Sequence, residues 1–203
     1  MVVLKIIAGE YRSRHLLSPP DGETSRPYAH RVREAVFNLL RGWWEDARVL
    51  DLFAGVGTVG LEAASRGAAE VVTVERDRRI FRLLEENIAT LDCGDRVTAV
   101  MADALGPGAL LRAPTPVDLV FIDPPYLLMR EEASRSRVFE QMTRCAAIMA
   151  DPSFLVLRSP LGPEDIDLAV PGLAGPEPHR YGPGMWVLLY QPETSGPGGE
   201  RDG

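Results

Sequence analysis

The sequence predicts a doubly wound α/β protein with a mostly parallel sheet, and three observations carry that prediction. The stretch from Val49 to Gly60 reads VLDLFAGVGTVG, an apolar run that turns through glycines. It continues into Leu61–Arg66, a helix-forming segment closed by Gly67, and so gives a buried strand, a tight turn and a helix. Apolar strand-like runs then alternate with helical ones along the chain. Finally, the run Val117–Ile122 passes straight into Asp123-Pro124-Pro125-Tyr126, a polar turn at the strand end, where such sheets bind ligands.

Taken in order, Lys5 to Leu17 reads as an extended pair folded at a Gly9-Glu10 turn, with Arg12 and Arg14 on one face. Ser18 to Arg26 is a loop of Pro, Gly and polar residues. Pro27 to Trp44 is helical through Val32, Ala35, Val36, Leu39 and Leu40. Arg26, Arg31 and Arg33 cluster at its start, where positive charge opposes the helix dipole, which favours a role in contact with substrate or in closure. Strands follow at Arg48–Phe53, Glu70–Glu75, Arg96–Met101, Val117–Ile122, Ser153–Leu157 and Trp186–Tyr190, with a first helix at Thr58–Arg66. Asp77 caps a helix whose apolar positions are Ile80, Leu83, Leu84 and Ile88. Glu131–Ala150 is a further helix, Leu161–Pro178 resists assignment, and Gly196–Gly203 is an expected disordered tail. This divides the chain into an extension (1–45), a catalytic domain (46–191) and a tail (192–203).

Gly55 and Gly57 permit positive φ and a close approach of ligand to backbone. Gly55-Val56-Gly57-Thr58-Val59-Gly60 also matches the dinucleotide pattern G-x-G-x-x-G. Asp51, four residues before Gly55, would repel a pyrophosphate. The pattern Asp51-x-Phe53-x-Gly55-x-Gly57 instead resembles the first motif of class I S-adenosylmethionine-dependent methyltransferases, whose cationic cofactor suits a carboxylate. Glu75, about twenty residues beyond Gly55, stands where an acid accepts from ribose hydroxyls. Asp103 follows the next strand, either as acceptor for an adenine amine or as a cap for a short helix. The expected cofactor set is Asp51, Phe53, Ala54, Gly55, Gly57, Glu75, Arg76, Asp103 and Ala104.

The tetrapeptide Asp123-Pro124-Pro125-Tyr126 is the catalytic expectation. Two prolines stiffen the turn and remove its N–H donors. The Asp123 carboxylate and the Pro124 carbonyl can then accept both protons of an exocyclic –NH2, aiming the nitrogen lone pair at a methyl donor. Tyr126 offers a face on which an extruded base stacks.

At 203 residues, with 45% hydrophobic and 25% charged residues, the chain has an ordinary globular composition. Cys93 and Cys145 lack metal or disulfide spacing, and no run is long enough for a membrane span, so a cytoplasmic protein is expected. The net charge of −7 sits awkwardly with nucleic acid, but residues 1–41 carry +3 and the remainder −10. Arg12, Arg14, Arg26, Arg31 and Arg33 are the expected RNA contacts.

Ile6–Arg12, Arg26-Pro27, Arg31–Leu40, Leu50–Gly55, Gly60–Ala63, Ser65–Ala68 and Asp123–Tyr126 together resemble the RsmD family across about residues 3–190. The resemblance implies a Rossmann-like, seven-stranded class I methyltransferase fold and methylation of a guanine N2 amine in 16S ribosomal RNA. S-adenosyl-L-methionine would be the cofactor, and naked 16S rRNA or an assembling small subunit the partner, with no metal, no membrane and a monomeric chain. Three places depart from the family pattern: Tyr28-Ala29-His30, Arg158 where a Glu is usual, and Tyr181-Gly182-Pro183-Gly184. A DNA adenine-N6 or cytosine-N4 methyltransferase, a nicotinamide oxidoreductase and a non-catalytic cofactor-binding adaptor remain as alternatives.

Overall fold

Successive residues of each strand point to opposite faces, and both faces here are covered. Val49 of β3 (Arg48–Leu52) faces one apolar layer and Leu50 and Leu52 face another, all fully buried. The protein is described by a computed structural model over residues 4–19 and 30–193. The Arg26-Pro27 block, Tyr28-Ala29 and the Gly196–Gly203 tail lie outside those residues.

Seven strands form the sheet in the order β5-β4-β3-β6-β7-β9-β8. Strands β3, β4 (Glu70–Glu75), β5 (Val97–Met101), β6 (Val117–Ile122) and β7 (Met149–Ser159) run parallel to one another. β8 (Leu173–Gly182) and β9 (Met185–Pro192) close one edge antiparallel. The predicted doubly wound sheet is therefore the observed one, and strand order reverses between β3 and β6.

One face is packed by α1 (His30–Leu39), α2 (Gly60–Ser65) and α3 (Arg78–Leu91). Phe37 stacks on Trp44 with ring centroids 4.5 Å apart, and both rings lie over Phe121 of β6. The other face is covered by α4 (Tyr126–Arg130) and α5 (Glu132–Ala146), with Met129, Val138, Met142 and Cys145 fully buried. The helix predicted over Glu131–Ala150 ends earlier, because β7 begins at Met149 and pairs with Val117.

The N-terminal hairpin is shorter than predicted. β1 (Leu4–Lys5) pairs with β2 (His15–Leu16), and the chain turns over residues 9–14 rather than at Gly9-Glu10 alone. Buried side chains stitch it to the sheet layer. The Glu62 carboxylate accepts from the Ile7 and Ala8 amides at 2.6 and 3.0 Å. Ser65 Oγ accepts from the Tyr11 amide at 2.9 Å and donates to the Ala8 carbonyl at 2.6 Å. Gly9, at φ +81°, lies so close to α2 that a Cβ would stand 1.6 Å from the Ser65 carbonyl oxygen, which is why only glycine fits.

Candidate active site

A cleft of about 690 Å³ opens at the C-terminal ends of β3, β4 and β6, beside the point where strand order reverses. That is the crevice in which open α/β sheets hold ligands. It brings together residues 70 positions apart in sequence: Phe53, Ala54 and Gly55 after β3, and Asp123, Pro124, Pro125 and Tyr126 after β6. Glu75, Arg76 and Ala104, three more of the expected cofactor residues, also line it.

The β3 turn is built by hydrogen bonds between backbone and carboxylate. Gly55, at φ +57°, donates its amide to Glu75 Oε2 at 3.0 Å, and Glu75 Oε1 accepts the Asp77 amide at 2.7 Å. A Cβ on Gly55 would meet nothing within 4 Å, so it is the backbone angle and not crowding that favours glycine here. Phe53 adopts φ +64°, a left-handed conformation that costs a bulky residue roughly 1–2 kcal/mol. Sequence alone offers no signal for that strain, which sits in the cleft wall.

Three expected cofactor residues lie elsewhere. Asp51 is buried under the turn, where Oδ2 accepts the Gly60 amide at 3.0 Å at the start of α2. The N-terminal amide of α2 is thus spent inside the protein rather than aimed at a ligand, and the Asp51 carboxylate holds the turn instead of facing the cleft. Burial pushes the Asp51 carboxyl up to about 8; the Gly60 hydrogen bond opposes this, and Asp123 and Glu75 reinforce it. Gly57, at φ +89°, packs against Leu84 and Leu61. Asp103 turns back to accept the Leu105 amide at 3.1 Å and stands 3.8 Å from Arg137; the short helix that follows (Pro107–Ala109) starts at Gly106 without a side-chain cap, so Asp103 is not its cap.

Around the second motif, Asp123 Oδ1 accepts a hydrogen bond from Arg158 Nε in a buried ion pair. Burial raises the Asp123 carboxyl above the usual carboxylate range, while the Arg158 charge and hydrogen bond pull it down. The Arg158 guanidinium carbon lies 5.2 Å from the centre of the Tyr126 ring, within cation–π range. The Tyr126 hydroxyl is buried with no hydrogen-bond partner among the described residues. Arg158 was legible only as a departure from a family pattern; its place in the cleft was not. Leu4, Val56, Thr58, Asp77, Ile80, Leu127 and Arg130 also line the cleft without having been predicted there. Asp77 had a signal as a helix cap, and it does accept the Arg79 and Ile80 amides.

The arginines expected at RNA fare unequally. Arg12 and Arg31 are exposed, and Arg14 is exposed but donates to the Thr90 carbonyl at 2.8 Å. Arg26 lies outside the described residues. Arg33 is buried and donates to the Lys5 carbonyl at 2.6 Å, joining α1 to the hairpin, so it does not present its charge to a partner. Burial also lowers its pKa. Among the described residues there is no group of three His, Cys, Asp or Glu side chains that could hold a metal, and no helix long and apolar enough to cross a membrane.

Comparison with known proteins agrees with this geometry. The chain is 42% identical over 123 residues to ribosomal RNA small subunit methyltransferase D of Escherichia coli strain K12, covering 61% of this chain and 60% of that relative. It is 32% identical over 124 residues to the putative rRNA methyltransferase YlbH of Bacillus subtilis strain 168, covering 61% and 67%. The chain thus spans about 60% of the length of the first of these relatives. A solved structure described as a putative methyltransferase yhhF from Escherichia coli superposes with a TM-score of 0.77 at 32% identity, covering 95% of this chain and 99% of the other. The fold is accordingly the Rossmann-like fold of class I methyltransferases. The model of the family described as conserved hypothetical protein 95 matches residues 4–157, and the chain belongs to that family, which is the RsmD family.

Proposed function

We propose that this protein methylates the exocyclic N2 amine of a guanine in small-subunit (16S) ribosomal RNA, using S-adenosyl-L-methionine. The observation that carries the reading is the meeting of two motifs in one cleft: the Phe53–Gly55 turn with Glu75 on one side, and Asp123–Tyr126 on the other. The residues present fit the cofactor. The volume suits a nucleoside-sized ligand, and Gly55 leaves open space above its backbone. Each Glu75 oxygen spends one lone pair on a backbone amide and keeps another for a ribose hydroxyl.

When bound, the cofactor would supply an electrophilic methyl group, to which the nitrogen lone pair forms the new bond while the C–S bonding pair stays with the departing sulfur. The protein's own residues align and neutralise. Asp123 and the Pro124 carbonyl accept hydrogen bonds from the two amine N–H groups and stabilise the positive charge that develops on nitrogen, until one of those protons is released to give the neutral methylated amine. The Tyr126 ring supplies a stacking face for a base drawn out of its RNA context. Arg12 and Arg31 are exposed near the hairpin and α1 and would meet phosphates, offsetting the overall charge of −7. In this reading residues 1–45 close over RNA and cofactor, 46–191 carry the chemistry, 192–203 form a tail, and the protein works in the cytoplasm.

The test is transfer from labelled S-adenosylmethionine to undermodified small-subunit particles, naked rRNA and duplex DNA in parallel, with the methylated nucleoside identified. N2-methylguanosine in rRNA is the expected product. N6-methyladenine or N4-methylcytosine in DNA would overturn the substrate, and cofactor binding with no transfer to any of the three would overturn the activity.

A further inference from the structure

We propose that Arg158 is a positioning residue of the methyl-transfer site, holding the Asp123 carboxylate and the Tyr126 ring in the arrangement that receives the target base. The proposal rests on the reading of the cleft as a methyltransferase site. Its starting point is how differently the carboxylates here are held. Asp51, Glu75 and Asp77 each accept backbone amides, so the main chain itself fixes them. Asp123 is followed by Pro124 and Pro125, which have no N–H to give. The hydrogen bond to its carboxylate comes instead from a side chain, Arg158 Nε.

The sheet places that side chain. Ile122 of β6 is in register with Leu157 of β7, so the next residue of each parallel strand, Asp123 and Arg158, emerges side by side at the cleft. Arg158 is 8% exposed, and an arginine so enclosed has a fixed geometry. It engages Oδ1 with Nε and lays its plane 5.2 Å from the Tyr126 ring centre. One cation thereby orients both the acceptor and the stacking face. With Oδ1 engaged, Oδ2 and the Pro124 carbonyl are the acceptors a target amine meets.

Arg158 also governs the charge of that acceptor. Asp51 lies on the neighbouring strand β3 and Glu75 at the end of β4; Arg76, Asp77 and Arg130 line the same cleft. A carboxyl buried near other carboxylates tends to protonate, and a protonated acid is a poorer acceptor for an amine. The adjacent guanidinium opposes this, so Arg158 holds Asp123 nearer to its ionised, accepting form than burial alone would leave it.

The experiment compares Arg158→Ala and Arg158→Lys with the unaltered protein, measuring cofactor affinity, thermal midpoint, and methyl transfer to rRNA as a function of pH. Arg158→Ala should lower kcat by roughly a hundredfold while cofactor affinity stays within about threefold. The acid limb of its kcat/KM profile should move up by about one pH unit. Added guanidinium chloride at a sub-denaturing concentration should restore part of the lost rate. Arg158→Lys, which keeps the charge but not the planar fork, should give an intermediate rate and leave the acid limb in place. Unchanged transfer in Arg158→Ala would overturn the proposal. So would a loss matched by a fall in thermal midpoint, with an unmoved acid limb and no rescue by guanidinium. An unaltered protein that transfers no methyl group would overturn the reading of the cleft itself, which is a different result from either.

Discussion

The two sides of the cleft use carboxylates in opposite ways. On the β3–β4 side, Asp51, Glu75 and Asp77 are bound to main-chain amides, so the acids are part of the scaffold. On the β6–β7 side, Asp123 follows a strand end, is followed by two prolines, and is held by the Arg158 side chain. A backbone amide cannot be replaced by mutation and hardly moves. A side-chain partner can do both. The difference teaches that the first side is a fixed surface and the second a movable one, which in the proposed reading suits the first to a cofactor and the second to an incoming amine.

Substitutions on each side should separate these roles. Asp123→Ala should reduce methyl transfer by about a thousandfold, since it removes both an acceptor and the charge that stabilises the cationic nitrogen; a single-turnover rate within tenfold of the parent would break the assignment. Glu75→Ala should weaken cofactor binding by roughly ten- to a hundredfold, because it removes the proposed ribose acceptor and releases the Gly55 and Asp77 amides; titration calorimetry reads this directly. Gly57→Ala should destabilise the fold by about 2–4 kcal/mol in a denaturant titration. Its Cβ would stand 2.6 Å from Leu84 Cδ1 and 2.9 Å from Leu61 Cδ1, at φ +89°.

A pH-dependent effect tests Asp51. Its carboxyl is pushed up to about 8 in the folded protein from an ordinary value of 3.8. Between those values the folded state holds a proton that the unfolded chain releases, so stability falls as pH rises across the window. Asp51→Asn removes that group while keeping an oxygen for the Gly60 amide. The variant should therefore gain on the parent by up to about 1 kcal/mol per unit as pH rises from 5 to 8. Parallel stability curves for the two proteins would mean that Asp51 does not titrate as a buried acid.

Much of this architecture is legible in the sequence where physics leaves little choice. Glu70–Glu75 and Val117–Ile122 are strands with the predicted bounds, because a continuous apolar run between turn signals has nowhere to go but a buried parallel sheet. β8 was not legible. Its residues are largely polar, include Pro176 and Pro178, and lie at the sheet edge, where prolines are tolerated and alternation is weak. The cleft was legible as a pair of motifs, but not which acids face it. Asp51 lies in β3 and Phe53 just past its end, two residues apart, yet the first is buried and the second faces the cleft. Arg33 likewise looks like its exposed neighbour Arg31 until the hairpin packs against α1 and claims it for the Lys5 carbonyl.

The division of labour across the cleft is tested most directly by the cofactor-binding isotherm of Asp123→Ala, measured beside that of the unaltered protein. The account predicts a dissociation constant within about threefold of the parent, since Gly55 and Glu75 are untouched. A loss of cofactor affinity in step with the loss of methyl transfer would contradict it, and would place Asp123 on the cofactor rather than on the target amine.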